Sequence, residues 1–173
     1  MTGFLLDTNI PSELTRPAPD RRVEQWLDAI EDEHLFLSVV SLGEIFKGLA
    51  ILPESKRRQE LQRWLDETLR PWFQGRILPL TESIAERWGL LAGECQLKGR
   101  PLKVADGFIA ATALEHGLTV ATRNVRDFAD LGVKLFNPWN WQPQPERSLW
   151  PKGREADPEP RPADQEHDEE IER

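Results

Sequence analysis

Four carboxylates carry the chemistry open to this sequence: Asp7 in "GFLLDTNIPSEL", Glu44 in "SLGEIFKG", Asp106 in "KVADGFIAA" and Asp127 in "TRNVRDF". Asp7 directly follows the apolar run Phe4, Leu5 and Leu6, where a strand entering a core would continue. An unpaired buried carboxylate costs on the order of several kcal/mol, so Asp7 needs a positive partner or a set of donors. Like charges gathered at one place raise each other's pKa and usually require a cation. Carboxylate oxygens favour Mg²⁺ or Mn²⁺, and Mg²⁺ typically keeps several waters while using only one or two protein carboxylates. Such an ion lowers the pKa of a bound water, and a pair about 3.5 to 4 Å apart also neutralises the leaving oxygen of a phosphodiester. Hydrolysis of nucleic acid is the natural reaction for this set.

Each acid also has a plainer explanation. Ser41 and Glu44 have capping-box spacing, which would account for Glu44 by helix-end hydrogen bonds alone. Asp106 would complement the positive end of a helix dipole, Asp127 would form a turn, and Asp7 with Asn9 would satisfy turn amides. Thr8, Asn9, Thr122 and Asn124 either hold a carboxylate or a water in place, or serve the same turns. Arg100 and Lys103, just before Asp106, are placed to meet an RNA backbone, whereas Lys56, Arg57, Arg58 and Arg63 read as a solvated helix face. His34, His116 and His167 lack metal-ligand spacing, which argues against zinc. Cys95 reads as a small buried helix residue. Trp26, Trp64 and Trp88 lie on helical faces and read as core.

The elements that must position these residues alternate. Strands are expected over 4–6, 35–40, 76–80, 118–122 and 133–136. Helices are expected over 20–31, 41–52, 54–73, 81–97 and 104–117, the last ending in a left-handed cap at Gly117. The fold class is α/β with a mainly parallel sheet covered on both faces. In open sheets of this kind ligands sit beyond the carboxyl ends of the strands. Asp7, Glu44, Asp106 and Asp127 all fall just after strands or in the first turns of the helices, which predicts that they share one edge.

With 173 residues, 39% hydrophobic and 30% charged, the chain suits one domain, over 1–142. Residues 143–173 hold 6 of the 14 prolines and 10 acidic against 5 basic side chains, and are expected to form a disordered acidic tail. That leaves a net charge of −3 of the total −8 on the body, so bulk charge cannot drive nucleic-acid binding. A lone cysteine, no leader-like start and no run long enough to span a bilayer make the cytoplasm the expected location.

The ordered stretches "LLDTNIPSEL", "LSVVSLGEIFKGLAILP", "GRPLKVADGFIAATALEHGLTVATRNVRDF" and "LGVKLFNPW" resemble PIN-domain proteins of the VapC toxin type, FitB-like branch, over residues 4–139. The resemblance implies a three-layer α/β/α sandwich of about five strands and a Mg²⁺- or Mn²⁺-dependent endoribonuclease. It also implies a VapB-like antitoxin whose C-terminal segment covers the active site and which doubles as a DNA-binding autorepressor. Homodimers, or dimers of toxin–antitoxin heterodimers, follow from it too. By the same resemblance Asp7 and Asp106 are the two metal-binding aspartates, Glu44 the third acid and Asp127 the fourth, with Thr122 and Asn124 in support. Gly107 departs from the Ala common in such proteins and would loosen its helix by roughly 0.5 to 1 kcal/mol. A catalytically silent RNA- or antitoxin-binding module of the same fold is the alternative. An aspartyl-phosphate phosphatase would need a second acid where Asn9 stands.

Overall fold

The structure is a computed structural model that describes residues 3–143. The expected tail, apart from Pro143, lies outside the described residues.

Five short parallel strands, β1 (Phe4–Leu6), β2 (Leu35–Ser38), β3 (Ile77–Leu78), β4 (Thr119–Ala121) and β5 (Lys134–Phe136), form one sheet in the order β3-β2-β1-β4-β5. Side chains alternate across a strand, and the register keeps each set on one face. Leu5 stands level with Phe36 and Val120, and Leu6 with Leu37 and Ala121. Leu5 and Val120 belong to a core with Ile109, Ala110 and Ala113, and Phe36 packs against it. Leu6, Leu37 and Ala121 belong to a second core with Ile10, Val23, Trp26, Leu49 and Leu65. Two helical layers therefore enclose the sheet, which is why its strands read as continuous apolar runs.

One layer holds α1 (Asn9–Leu14), α2 (Arg21–Asp28), α3 (Val39–Ala50), α4 (Lys56–Trp64) and α5 (Arg70–Trp72); the other holds α6 (Glu82–Leu97) and α7 (Val104–His116). Asp20, Ser55 and Thr81 cap α2, α4 and α6 through their side chains, and Gly117 ends α7 at φ 64°. The expected helix over 54–73 is interrupted. Between α4 and α5 the chain makes a π-helical turn at Leu65–Leu69. Pro71 supplies no N–H and its ring would crowd the carbonyl four residues back, and a π turn is one way for a helix to absorb this. Within this stretch Arg58 pairs with Glu54, Lys56 with Glu60, and Arg57 donates to the Thr15 carbonyl.

The strand expected over 35–40 stops at Ser38. Its hydroxyl accepts from the Val40 amide at 3.1 Å, so it is the N-cap of α3, and Val39 and Val40 begin the helix. The cap outweighs the β-preference of two valines. Ser41 is then buried inside the helix and its hydroxyl donates to the Leu6 carbonyl at 3.3 Å. Glu44, the sixth residue of α3, lies in the second turn rather than the first and is not half of a capping box. No helix among the described residues is long and apolar enough to cross a membrane. Replacing Ser38 by Ala should destabilise the protein by about 1 kcal/mol in denaturant titrations, the usual loss for an N-cap; a loss near zero would mean that another group caps α3.

Candidate active site

The main-chain ladder runs one step beyond the strands at the carboxyl edge of the sheet. The Asp7 amide donates to the Ala121 carbonyl at 3.0 Å, and the Thr122 amide to the Phe136 carbonyl at 2.9 Å. This holds Asp7 and Thr122 side by side. Asp7 is only 6% exposed, and both of its oxygens are claimed. Oδ1 accepts from the Thr8 amide at 2.7 Å, and Oδ2 from Asn9 Nδ2 at 2.7 Å and Thr122 Oγ1 at 2.6 Å. The Thr122 hydroxyl accepts in turn from Asn9 Nδ2 at 3.1 Å and from the Asn124 amide at 2.9 Å. A hydroxyl has one proton to give and two lone pairs, so Thr122 is fully used. Thr8 reaches the other way, its hydroxyl donating to Glu44 Oε2 at 2.6 Å.

Asp106 is the third residue of α7, and Asp127 sits in the 3₁₀ turn Val125–Phe128 that follows β4. Asp7, Glu44, Asp106 and Asp127 line one open cleft of ≈ 550 Å³, together with Thr8, Asn9 and Asn124. Lys103 Nζ lies 2.7 Å from Asp127 Oδ2 and 3.7 Å from Asp106 Oδ2. The Asp106 carboxyl is pushed up to about 6, first by burial and next by the charge of Asp7, with Lys103 pulling the other way. Burial also raises Asp7, against the hydrogen bonds from Thr122, Thr8 and Asn9 that favour its ionised form. Lys103 is raised, chiefly by its hydrogen bond to Asp127.

Carboxylate oxygens that burial, with neighbouring charge, makes hold their protons more tightly are a donor set that suits a hard divalent cation. The acids are not a tight cage. Among the described residues, only Glu31, Glu33 and His34 bring three such ligand atoms within 4.8 Å of one another. A wider set matches an ion that keeps several waters and touches few carboxylates directly. The Glu31, Glu33 and His34 group is a point where the structure departs from the spacing argument about histidine. It precedes β2, at the opposite edge of the sheet from the cleft, with both glutamates exposed.

Residues 4–134 match the family described as PIN domain. The chain belongs to the PIN-domain family. It is 41% identical over 137 residues to Toxin FitB of Neisseria gonorrhoeae, covering 79% of this chain and 99% of that one. It is 40% identical over 136 residues to VapC ribonuclease Y4jK of Sinorhizobium fredii, covering 79% and 97%. The crystal structure of FitAcB from Neisseria gonorrhoeae superposes with a TM-score of 0.75 at 40% identity, over 80% of this chain and 99% of that one.

In this PIN domain the acids and polar residues singled out by sequence share the cleft or its hydrogen-bond network. Arg100 does not line it and pairs with Asp130 at 3.0 Å, while Lys103 does. Sequence reasoning missed Lys47, which lines the cleft one helical turn after Glu44 and was open to discovery from that i, i+3 spacing. It also missed Glu13, a buried acid outside the cleft that accepts from the Asp20 amide at 3.0 Å and pairs with Arg16.

The raised Asp106 carboxyl has a direction in stability. A group with a higher pKa folded than unfolded contributes stability at low pH that is lost as pH rises through the folded value. For Asp106 that window runs from about 3.8 to about 6. In chelator, Asp106→Asn should therefore melt higher than the parent at pH 7 and alike at pH 4. Added Mg²⁺ should raise the melting temperature of the parent alone. A variant less stable than the parent at pH 7 would show that Asp106 is not under charge strain.

Proposed function

We propose that this PIN domain is the endoribonuclease toxin of a type II toxin–antitoxin pair, hydrolysing RNA with Mg²⁺ or Mn²⁺. The observation that carries the proposal is Asp7 and Asp106 on one cleft, close enough for the charge of one to raise the pKa of the other. The ribonuclease and toxin names of the relatives, at about 40% identity over nearly their whole length, support the reaction.

In this mechanism Asp7 and Asp106 would hold the cation, with Glu44 and Asp127 completing the acidic rim. When bound, the ion supplies the positive charge that eases deprotonation of a water and neutralises the phosphate. The remaining work belongs to the chain. Thr122, Asn9 and the Thr8 amide fix the orientation of Asp7, leaving its oxygens no freedom to rotate. The Thr8 hydroxyl sets Glu44, and Asn124 holds Thr122 through its amide. Lys103 balances Asp127 and, with Lys47, gives the cleft a positive side for the RNA backbone; Arg100 lies farther along that side. Water attacks phosphorus and gives up a proton to solvent, the P–O bond to the leaving ribose oxygen breaks, and that oxygen takes up a proton from solvent.

A VapB-like antitoxin is the proposed partner. The FitA–FitB complexes, one bound to a DNA fragment, support it. A narrow apolar groove lined by Ile45, Leu49, Leu52, Leu61 and Trp64 opens beside Thr8 and Glu44, and suits an amphipathic segment lying against the cleft. The nuclease domain is taken as residues 1–142, acting in the cytoplasm as a homodimer or a dimer of toxin–antitoxin heterodimers, with 143–173 an acidic extension.

Purified without antitoxin, the protein should cut single-stranded RNA with Mg²⁺ or Mn²⁺ and stop in chelator. Asp7→Asn and Asp106→Asn should each slow cleavage at least about 100-fold, and Thr122→Val about 10- to 100-fold, the usual loss for a partner behind a metal ligand. Both aspartate variants cutting at the parent rate would refute the mechanism. Tight RNA binding without cleavage in either metal would identify a silent binding module instead.

A further inference from the structure

The position of Asp106 depends on the first turn of α7, and that turn lacks the usual fastening. Lys103 stands at the N-cap and makes no side-chain cap bond; its ammonium group reaches Asp127 instead. Packing from α6 meets the turn instead. The half-buried Trp88 indole stacks on the Phe108 ring, with centroids 4.6 Å apart and planes 11° from parallel. Its five-membered edge lies against Gly107. A methyl group built on Gly107 would fall 2.8 Å from Trp88 Cδ1 and 2.9 Å from both Trp88 Nε1 and Leu102 Cδ2. Gly107 is therefore not a loosened alanine position; the missing methyl is where the indole fits. The indole N–H is also buried, and among the described residues it finds no partner. An orphan donor is costly, so hydrogen bonding does not explain an indole here, whereas its width does.

We propose that Trp88 is a positioning residue for Asp106. Wedged against the two residues that follow Asp106, it sets the depth of the α7 N-terminal turn and so the span from Asp106 to Asp7 across the cleft. It touches no reacting atom and acts through Gly107 and Phe108. Ordinary carbon contacts are about 3.5 to 4.0 Å, so a methyl at 2.8 Å must displace its surroundings by about 0.7 to 1.2 Å. Leu102 can swing aside. Trp88 is held by its stack on Phe108, so a shift of the indole is passed to α7. Ligand distances at a metal site tolerate about ±0.2 Å, several times less than that displacement.

The inference rests on Asp7 and Asp106 holding a divalent cation, and Mn²⁺ titration of the full chain, with no RNA present, separates the two ideas. Parent, Gly107→Ala, Trp88→Phe, Gly107→Ala/Trp88→Leu and Asp106→Asn are compared for Mn²⁺ affinity and melting temperature in chelator. Gly107→Ala should bind Mn²⁺ about 10-fold more weakly, and the double variant should regain most of that loss because leucine leaves room for the methyl. Trp88→Phe keeps the stack, removes the orphan donor and narrows the wedge. It should melt no lower than the parent yet bind Mn²⁺ more weakly, a separation that a packing role alone would not produce. Parent affinity in both Gly107→Ala and Trp88→Phe, or a double variant no tighter than Gly107→Ala, overturns the positioning role while Asp106→Asn still loses the ion. Should Gly107→Ala fail to fold, Trp88→Phe decides. Parent and Asp106→Asn binding Mn²⁺ alike, or not at all, instead removes the site itself.

Discussion

The active edge is built around keeping the Asp7 carboxylate in place where burial works against its charge. Three donors meet its two oxygens, and burial still holds its pKa above the ordinary value. Among the described residues a lysine forms ion pairs with only two of the four acids, Lys103 with Asp127 and Asp106. Asp7 and Glu44 are hydrogen-bonded by amide and hydroxyl donors. Neutral donors orient a carboxylate without cancelling its charge. A cation from outside the chain would complete the Asp7 side and would relieve Asp106 at the same time.

The topology explains why this crowding can exist without spoiling the core. With every strand parallel, the carboxyl ends of β1 and β4 open on one edge, where α3, directly after β2, brings Glu44 and α7, after α6, brings Asp106. Asp7 thus lies at the end of an apolar strand rather than within it, and Asp106 in the first turn of its helix. Leu5, Leu6, Val120 and Ala121 remain fully enclosed directly beside Asp7 and Thr122.

What was legible in the sequence follows from how local each signal is. Asp7 and Thr122 end apolar runs, so strand geometry alone carries them to the edge, and the PIN-like pattern gave their order. Asp20, Thr81 and Gly117 announce helix ends through their own chemistry. The start of α3 was misplaced because Ser38 and Ser41 both have capping chemistry, and only the burial of Ser41 against the Leu6 carbonyl separates them. Gly107 looked like a small propensity loss because the residue that explains it, Trp88, comes from another helix. Lys103 could be placed near Asp106 by sequence, but its bridge to Asp127 depends on the turn after β4. Long-range neighbours, rather than local preference, account for these misses.

The extra rung of the ladder, Asp7 to Ala121 and Thr122 to Phe136, has a consequence for how the site breathes. Amides locked into the central sheet exchange with solvent only when large parts of the domain open, whereas a helix end without a side-chain cap frays in small local events. The two sides of the cleft therefore differ in what would have to open to move them: large parts of the sheet on the side of Asp7, and the packing of Trp88 on the head of α7 on the side of Asp106. Ion capture would couple them, tying a helix end held by side-chain packing into the cooperative unit of the sheet.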